Sequence, residues 1–188
     1  MITVNKLIPR GRGLAPALVK RAPRLELDWD QRQKSRIDAT DSTGRAIGVF
    51  LPRGTVLRGG DVLVAEDGSL IAVLAAIQPV LVVRHDETRG SPFDLLRAAY
   101  HLGNRHVQIE LQPNHLKIEP DHVLAEMLRR MGLVVTEAHF PFEPEAGAYA
   151  AAHGHGHGHA HGDPGHGHEH DHHHEQGHDH GHGHAHDH

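Results

Sequence analysis

From His153 to His188 the chain is almost wholly histidine, glycine, aspartate and glutamate, and a segment of that make-up cannot enter a hydrophobic core. Little more than Ala160 and Ala185 is apolar in it. Ordering a backbone costs about 1–2 kcal/mol per residue, and here too little apolar surface is available to offset that. Residues 151–188 are therefore expected to form a disordered, histidine-rich tail. Folding is confined to the preceding part, which has room for one ordinary domain or two small ones.

The tail holds 17 of the 23 histidines, six of the 24 carboxylates and no lysine or arginine. Residues 1–152 are left with 18 acids against 19 bases, a nearly neutral body. With no basic stripe and few aromatic residues, nucleic acid is a poor candidate for the main partner. Cysteine is absent, which removes disulfides, zinc fingers, iron–sulfur clusters and thiolate copper sites together. Imidazole and carboxylate remain as metal ligands. The opening MITVNKLIPRGRG has no apolar run after its basic residues, and no segment approaches the length that crosses a bilayer. A soluble, cytoplasmic protein is expected.

Residues 1–78 carry short β-type runs broken by turns, without a convincing helical stripe. Strands are expected at 24–29, 35–39, 46–51, 62–65 and 70–77, with turns at Asp41-Ser42-Thr43-Gly44, Pro52-Arg53-Gly54, Arg58-Gly59-Gly60-Asp61 and Glu66-Asp67-Gly68. The expectation is a small all-β domain that serves as a scaffold or docking module. From residue 79 to about 150 the pattern alternates between strand and helix. Residues 80–84 form a continuous apolar run suited to a buried strand, and Ser91-Pro92 opens a helix that Gly103-Asn104 ends. Phe93, Leu96, Ala99, Tyr100 and Gly103 align along one side of it. Strands at 107–111 and 115–118 flank Pro113-Asn114. Pro120-Asp121 then opens a second helix striped by Val123, Leu124, Met127, Leu128 and Met131, and residues 133–140 form the last strand. The order βαββαβ predicts a ferredoxin-like fold with both helices on one face of a four-stranded antiparallel sheet, so the chain as a whole is α+β.

The tail carries the strongest chemical signal. His153, His155, His157, His159 and His161 alternate with small residues, as do His182, His184, His186 and His188. His166, His168, His170, His172, His173, His174, His178 and His180 lie between. Imidazoles at every second residue, on a backbone with little steric restriction, can close in twos and threes on one ion. Nickel, copper and zinc suit such a set, whereas magnesium and calcium prefer oxygen shells. Because only neutral imidazole ligates and its free pKa is about 6.5, affinity should fall below neutral pH. Many equivalent sites on a flexible segment make a store of weakly held ions, so selectivity has to come from the folded part. There His106 stands out, directly after a helix end where an exposed ring has little packing role. Were two protomers to meet at it, a two-fold axis would pair the rings and build a site that neither chain holds alone. His122, in the first turn of the second helix, and His115, on the short hairpin, are further candidate ligands. His101 reads as packing or supporting, and His85 and His139 as ordinary surface or core histidines. Searches for catalytic motifs find no His-Glu-x-x-His, no Gly-x-Ser-x-Gly, no phosphate-cradling Gly-rich loop and no nucleophilic cysteine, so the chain does not read as an enzyme.

Four strings resemble the UreE family of urease accessory metallochaperones, and they span both domains up to the tail. They are Leu51-Pro52-Arg53-Gly54 with Leu57-Arg58-Gly59-Gly60-Asp61; Ala99-Tyr100-His101-Leu102-Gly103-Asn104-Arg105-His106; Asp121-His122-Val123-Leu124 running to Met127-Leu128; and Pro141-Phe142-Glu143-Pro144-Glu145-Ala146-Gly147-Ala148-Tyr149. The resemblance implies a homodimer joined through the ferredoxin-like domains, with His106 of each protomer binding Ni(II) at the interface. It also implies handover of that nickel, through a complex with the urease accessory GTPase, to apo-urease, with the β domain serving in docking. Zn(II) and Cu(II) are the expected competitors. Some members carry two further histidines leading into the second helix; here Pro120 takes one of those places and His122 keeps the other. The rival reading is a histidine-rich storage or detoxification buffer in which the tail does all the work.

Overall fold

The computed structural model describes residues 1–147, and the expected disordered tail lies outside the described residues. The N-terminal part consists of β1 (Ile2–Ile8), α1 (Pro16–Arg21), β2 (Arg24–Leu27), α2 (Trp29–Arg32), β3 (Arg36–Thr40), β4 (Ala46–Phe50), β5 (Val62–Ala65) and β6 (Leu70–Ala75). Its six strands form one sheet in the order β2-β6-β5-β1-β4-β3. The edge strands meet: the Ser42 amide donates to the Arg24 carbonyl at 2.8 Å, and the Arg24 amide donates to the Ser42 hydroxyl at 3.0 Å. The sheet is thereby curled into a nearly closed barrel around wholly buried Val4, Leu25, Ile47, Leu63 and Ile71.

Two expectations for this part need correction. It is β-rich but not all-β, because α1 and α2 interrupt the strands. The turn of α2 rests on a local signal, a capping box in which Asp28 accepts from the Gln31 amide at 2.8 Å and Gln31 accepts from the Asp28 amide at 3.2 Å. The strand Ile2–Ile8 was also not among those expected, although it lies inside the sheet, parallel to β4 and antiparallel to β5. Two successive polar residues, Asn5 and Lys6, break its alternation where the register with β5 shifts. The turn expected at residues 41–44 is present. Its Asp41 carboxylate accepts from the Thr43 amide and hydroxyl and from the Arg45 amide and Nε, at 2.6–3.1 Å.

The second part is a mixed α/β region. It runs β7 (Ile77–His85), α3 (Pro92–Gly103), β8 (Glu110–Gln112), β9 (His115–Ile118), α4 (His122–Arg130) and β10 (Leu133–Pro141). Its strands pair antiparallel in the order β10-β7-β9-β8. The helix starts follow their caps: Pro92 is the first residue of α3, with the Asp94 carboxylate accepting from the Ser91 amide at 2.8 Å. Asp121 accepts from the Val123 and Leu124 amides at 2.8 and 2.9 Å to open α4. On one face of the sheet Leu81, Val83, Leu116 and Ile118 pack with Leu95, Ala98 and Leu102 of α3 and with Ala125 and Leu128 of α4. On the other face Val80 and Val82 pack with Trp29 of α2 and with Phe142. Covered on both sides, Val80 to Val83 at the centre of β7 are all buried, which accounts for the unbroken apolar run there.

Two details differ from the sequence reading. The strand expected from Val107 begins only at Glu110, because the Val107 amide is taken up in closing the end of α3. The apolar stripe seen on α3 is not the side that its own sheet covers. Leu95, Ala98 and Leu102 are buried, while Phe93, Leu96 and Tyr100 are 63%, 65% and 66% exposed. The helix is apolar on two sides.

Candidate metal centre

The end of α3 decides where His106 stands. The helix does not stop on a left-handed Gly103. Asn104 and Arg105 continue the turn, and His106 takes the positive φ, 56°. The His106 amide donates to the Gly103 carbonyl at 2.9 Å and the Val107 amide to the Leu102 carbonyl at 3.2 Å, the paired bonds of a Schellman closure. The left-handed position of that closure normally belongs to glycine. For a residue with a β-carbon it costs about 1–2 kcal/mol. Among the described residues only Arg10 and His106 adopt it without being glycine. The His106 side chain is exposed, beside the carbonyl end of the helix, where the macrodipole favours positive charge.

The other candidate ligands lie apart. His122 is the exposed first residue of α4, and His115 opens β9 with its Nδ1 2.7 Å from the Asn114 side-chain oxygen. Burial first, and then the nearby Arg84 and Lys117 charges, push the His115 imidazole below its ordinary pKa. His101 is half-buried, its ring edge-on to Tyr100 with centroids 5.4 Å apart. No group of three or more metal-ligating side chains comes together among the described residues. His106, His115 and His122 are thus not assembled into one site within a protomer, and tail residues His153 to His188 lie outside the described residues.

A groove of about 340 Å³ beside His106 is lined by Ala99, Val107 and Ile109 and also by Glu145, Ala146 and Gly147. The segment leading to the tail therefore passes against the histidine at the end of α3. Sequence reasoning valued this segment only as part of a characteristic string. Residues 4–76 match the description "UreE urease accessory protein, N-terminal domain", and residues 78–188 match its C-terminal domain. The chain belongs to the UreE urease accessory protein family. A UreE from Methylibium petroleiphilum is 74% identical over 149 residues, covering 79% of this chain and 69% of that protein. One from Paracidovorax citrulli is 72% identical over 150 residues, covering 80% and 71%, and one from Burkholderia orbicola is 55% identical over 149 residues, covering 79% and 71%. Membership makes the chain an accessory protein of urease maturation and not an enzyme. Among the described residues no helix is long and apolar enough to cross a membrane.

Proposed function

We propose that this protein is a cytoplasmic nickel metallochaperone that delivers Ni(II) to apo-urease through the complex with the urease accessory GTPase. It works as a homodimer in which His106 of each protomer holds the ion across a two-fold axis. The observation that carries this reading is the placement of His106: an exposed imidazole, held in a strained backbone conformation at a helix carbonyl end. Strain kept at an exposed polar residue has no packing benefit to offset it, which is how backbone strain behaves at functional sites. The uncovered apolar side of α3 next to it supports the dimer, since Phe93, Leu96 and Tyr100 present a patch suited to a second copy.

The division of labour follows the chain. Residues 1–78 form the docking domain. Residues 79–150 form a ferredoxin-like domain for metal binding and dimerisation, a reading supported by the βαββαβ order and the strand order β10-β7-β9-β8. Residues 151–188 are a capture tail whose imidazoles take up dilute ions and pass them by ligand exchange to the His106 pair. His115 and His122 are auxiliary ligands on this reading, and Zn(II) and Cu(II) compete for the same nitrogen sites. Nickel here is cargo, so a site with few protein ligands and exchangeable positions serves better than a closed cage.

Titration calorimetry on a chain ended at Ala152, with subunit mass measured alongside, tests the scheme. About one nickel per dimer should remain and most of the rest should be lost, and His106→Ala in that form should abolish the remainder. Tight nickel binding that survived both changes would overturn the proposal.

A further inference from the structure

Between Pro141, the last residue of β10, and Gly147 the chain forms a strap without regular structure, tied at most of its residues. Phe142 is wholly buried against Trp29, and its carbonyl accepts from Arg32 Nη2. The Glu143 amide donates to the buried Glu110 carboxylate at 2.7 Å. The Glu143 carboxylate accepts from Arg32 Nη1 at 2.6 Å and from the Gly59 amide at 2.7 Å. Arg58 donates to the Pro144 carbonyl at 2.6 Å, and the Glu145 amide donates to the Ile109 carbonyl at 2.8 Å. The backbone at Glu145 is thereby fixed. Its side chain is exposed and has no hydrogen-bond or ion-pair partner among the described residues. Glu145 lines the groove beside His106, whose other walls are uncharged. The carbonyl end of α3 already carries partial negative charge, and an anionic side chain held near it deepens the negative potential. Arg105, next to His106 in the chain, is turned back onto the His101 carbonyl, with Nη1 at 3.0 Å, and does not pair with Glu145.

We infer that the Glu145 carboxylate is an oxygen ligand for the ion that His106 binds. The inference rests on His106 as the nickel site proposed above and supplies the second donor within each protomer. Two donors per protomer accord with the absence of any three-ligand group among the described residues. A two-fold axis doubles them to two imidazole nitrogens and two carboxylate oxygens. A tetragonal set of nitrogen and oxygen ligands suits Ni(II) or Cu(II) and leaves positions open for exchange. The two carboxylates also balance the charge of a divalent ion, which two neutral imidazoles do not. Both side chains are exposed, so each can turn onto one ion without disturbing the core, while the ties of the strap keep Glu145 at the groove.

The test uses the complete-length chain with its 17 tail histidines changed to serine, so that the folded part supplies the imidazoles. With the glutamate carboxylate carbons isotope-labelled for NMR, Zn(II) serves as a diamagnetic probe. One zinc per dimer should shift the Glu145 carboxylate signal, assigned by its loss in Glu145→Gln, and His106→Ala should abolish that shift. In nickel calorimetry Glu145→Gln should weaken binding at least about tenfold, the loss that even an outer-shell partner of a metal causes. The loss should persist at about 1 M salt, where the screening length is about 3 Å and attraction between separated charges is gone. The thermal midpoint of the metal-free protein should not change, because the exposed carboxylate has no partner in the fold. A loss of affinity that vanishes in high salt, or a Glu145 signal that zinc leaves in place, would overturn the inference. If Glu145→Gln binds nickel as the parent does while His106→Ala abolishes binding, the inference fails and the His106 reading stands. Nickel held as tightly after His106→Ala would overturn the His106 reading, and this inference with it.

Discussion

His106 holds a backbone conformation that its side chain disfavours, and this separates what the residue does for the fold from what it does for metal. Replacing it with glycine should relieve the left-handed strain, and part of that gain is cancelled by the greater freedom of glycine in the unfolded chain. We expect His106→Gly to be more stable by about 0.5–1 kcal/mol in urea denaturation, with unchanged slope, while losing the nickel that survives tail truncation. A destabilised glycine variant would mean that the imidazole itself contributes to packing. His115 gives a pH signature. Burial and the neighbouring Arg84 and Lys117 hold its folded pKa down, so the unfolded chain binds a proton that the folded one refuses. Stability should therefore fall as pH drops below about 6.5 toward the folded value. In nickel-free protein, the thermal midpoint followed from pH 7.5 to 5 should decline less steeply for His115→Gln than for the parent. His122→Gln, at an exposed position, is the control, and equal slopes for all three would exclude the burial effect. Both histidines were legible as candidate ligands, but the strain at His106 was not, because Gly103 offered the obvious helix stop three residues earlier.

At the scale of elements, turn and cap chemistry was readable from a few adjacent residues. Ser91-Pro92, Asp121 and the turn at Asp41 all do what their types dictate. The misreadings share one cause, a tertiary partner that local pattern does not name. β1 was overlooked because its neighbours β4 and β5 come from more than forty residues away. β8 starts late because Val107 serves α3 first. The strap from Phe142 to Gly147 is the largest such case. Its order derives from Arg32 and Arg58, and Arg32 lies 110 residues before Phe142. Arg32→Met should remove the buried charge together with its bonds to the Leu27, Asp28 and Phe142 carbonyls, leaving Glu143 short of its main partner. Breaking one side of a buried pair typically costs about 3–5 kcal/mol. Because Glu143 is partly exposed, the lower end, about 3 kcal/mol, is expected from the urea midpoint. A loss under about 1 kcal/mol would show that water replaces the guanidinium without penalty.

At the scale of the molecule, α3 has two apolar sides and a single chain covers one of them. The sequence stripe of Phe93, Leu96 and Tyr100 was correctly apolar, but its destination was not stated by spacing. The sheet took Leu95, Ala98 and Leu102 instead. If the free side is the dimer seam, Leu96→Glu should weaken association at least tenfold, equivalent to about 1.4 kcal/mol. Light scattering at micromolar concentration would then report monomers. The thermal midpoint of the monomer should hardly move, since the side chain is exposed within one chain. A variant that stays dimeric would place the seam elsewhere. What the sequence determined unaided are properties carried by residue type and near neighbours: the metal-ligating character of the tail, the absence of thiolate chemistry, the order of most strands and helices, and the family. What only the tertiary structure decided is which surfaces meet. It chose between the two sides of α3, gave His106 the left-handed seat and tied Glu143 to arginines from the barrel. Contacts between distant residues depend on how the whole chain closes and leave no periodic trace in either partner.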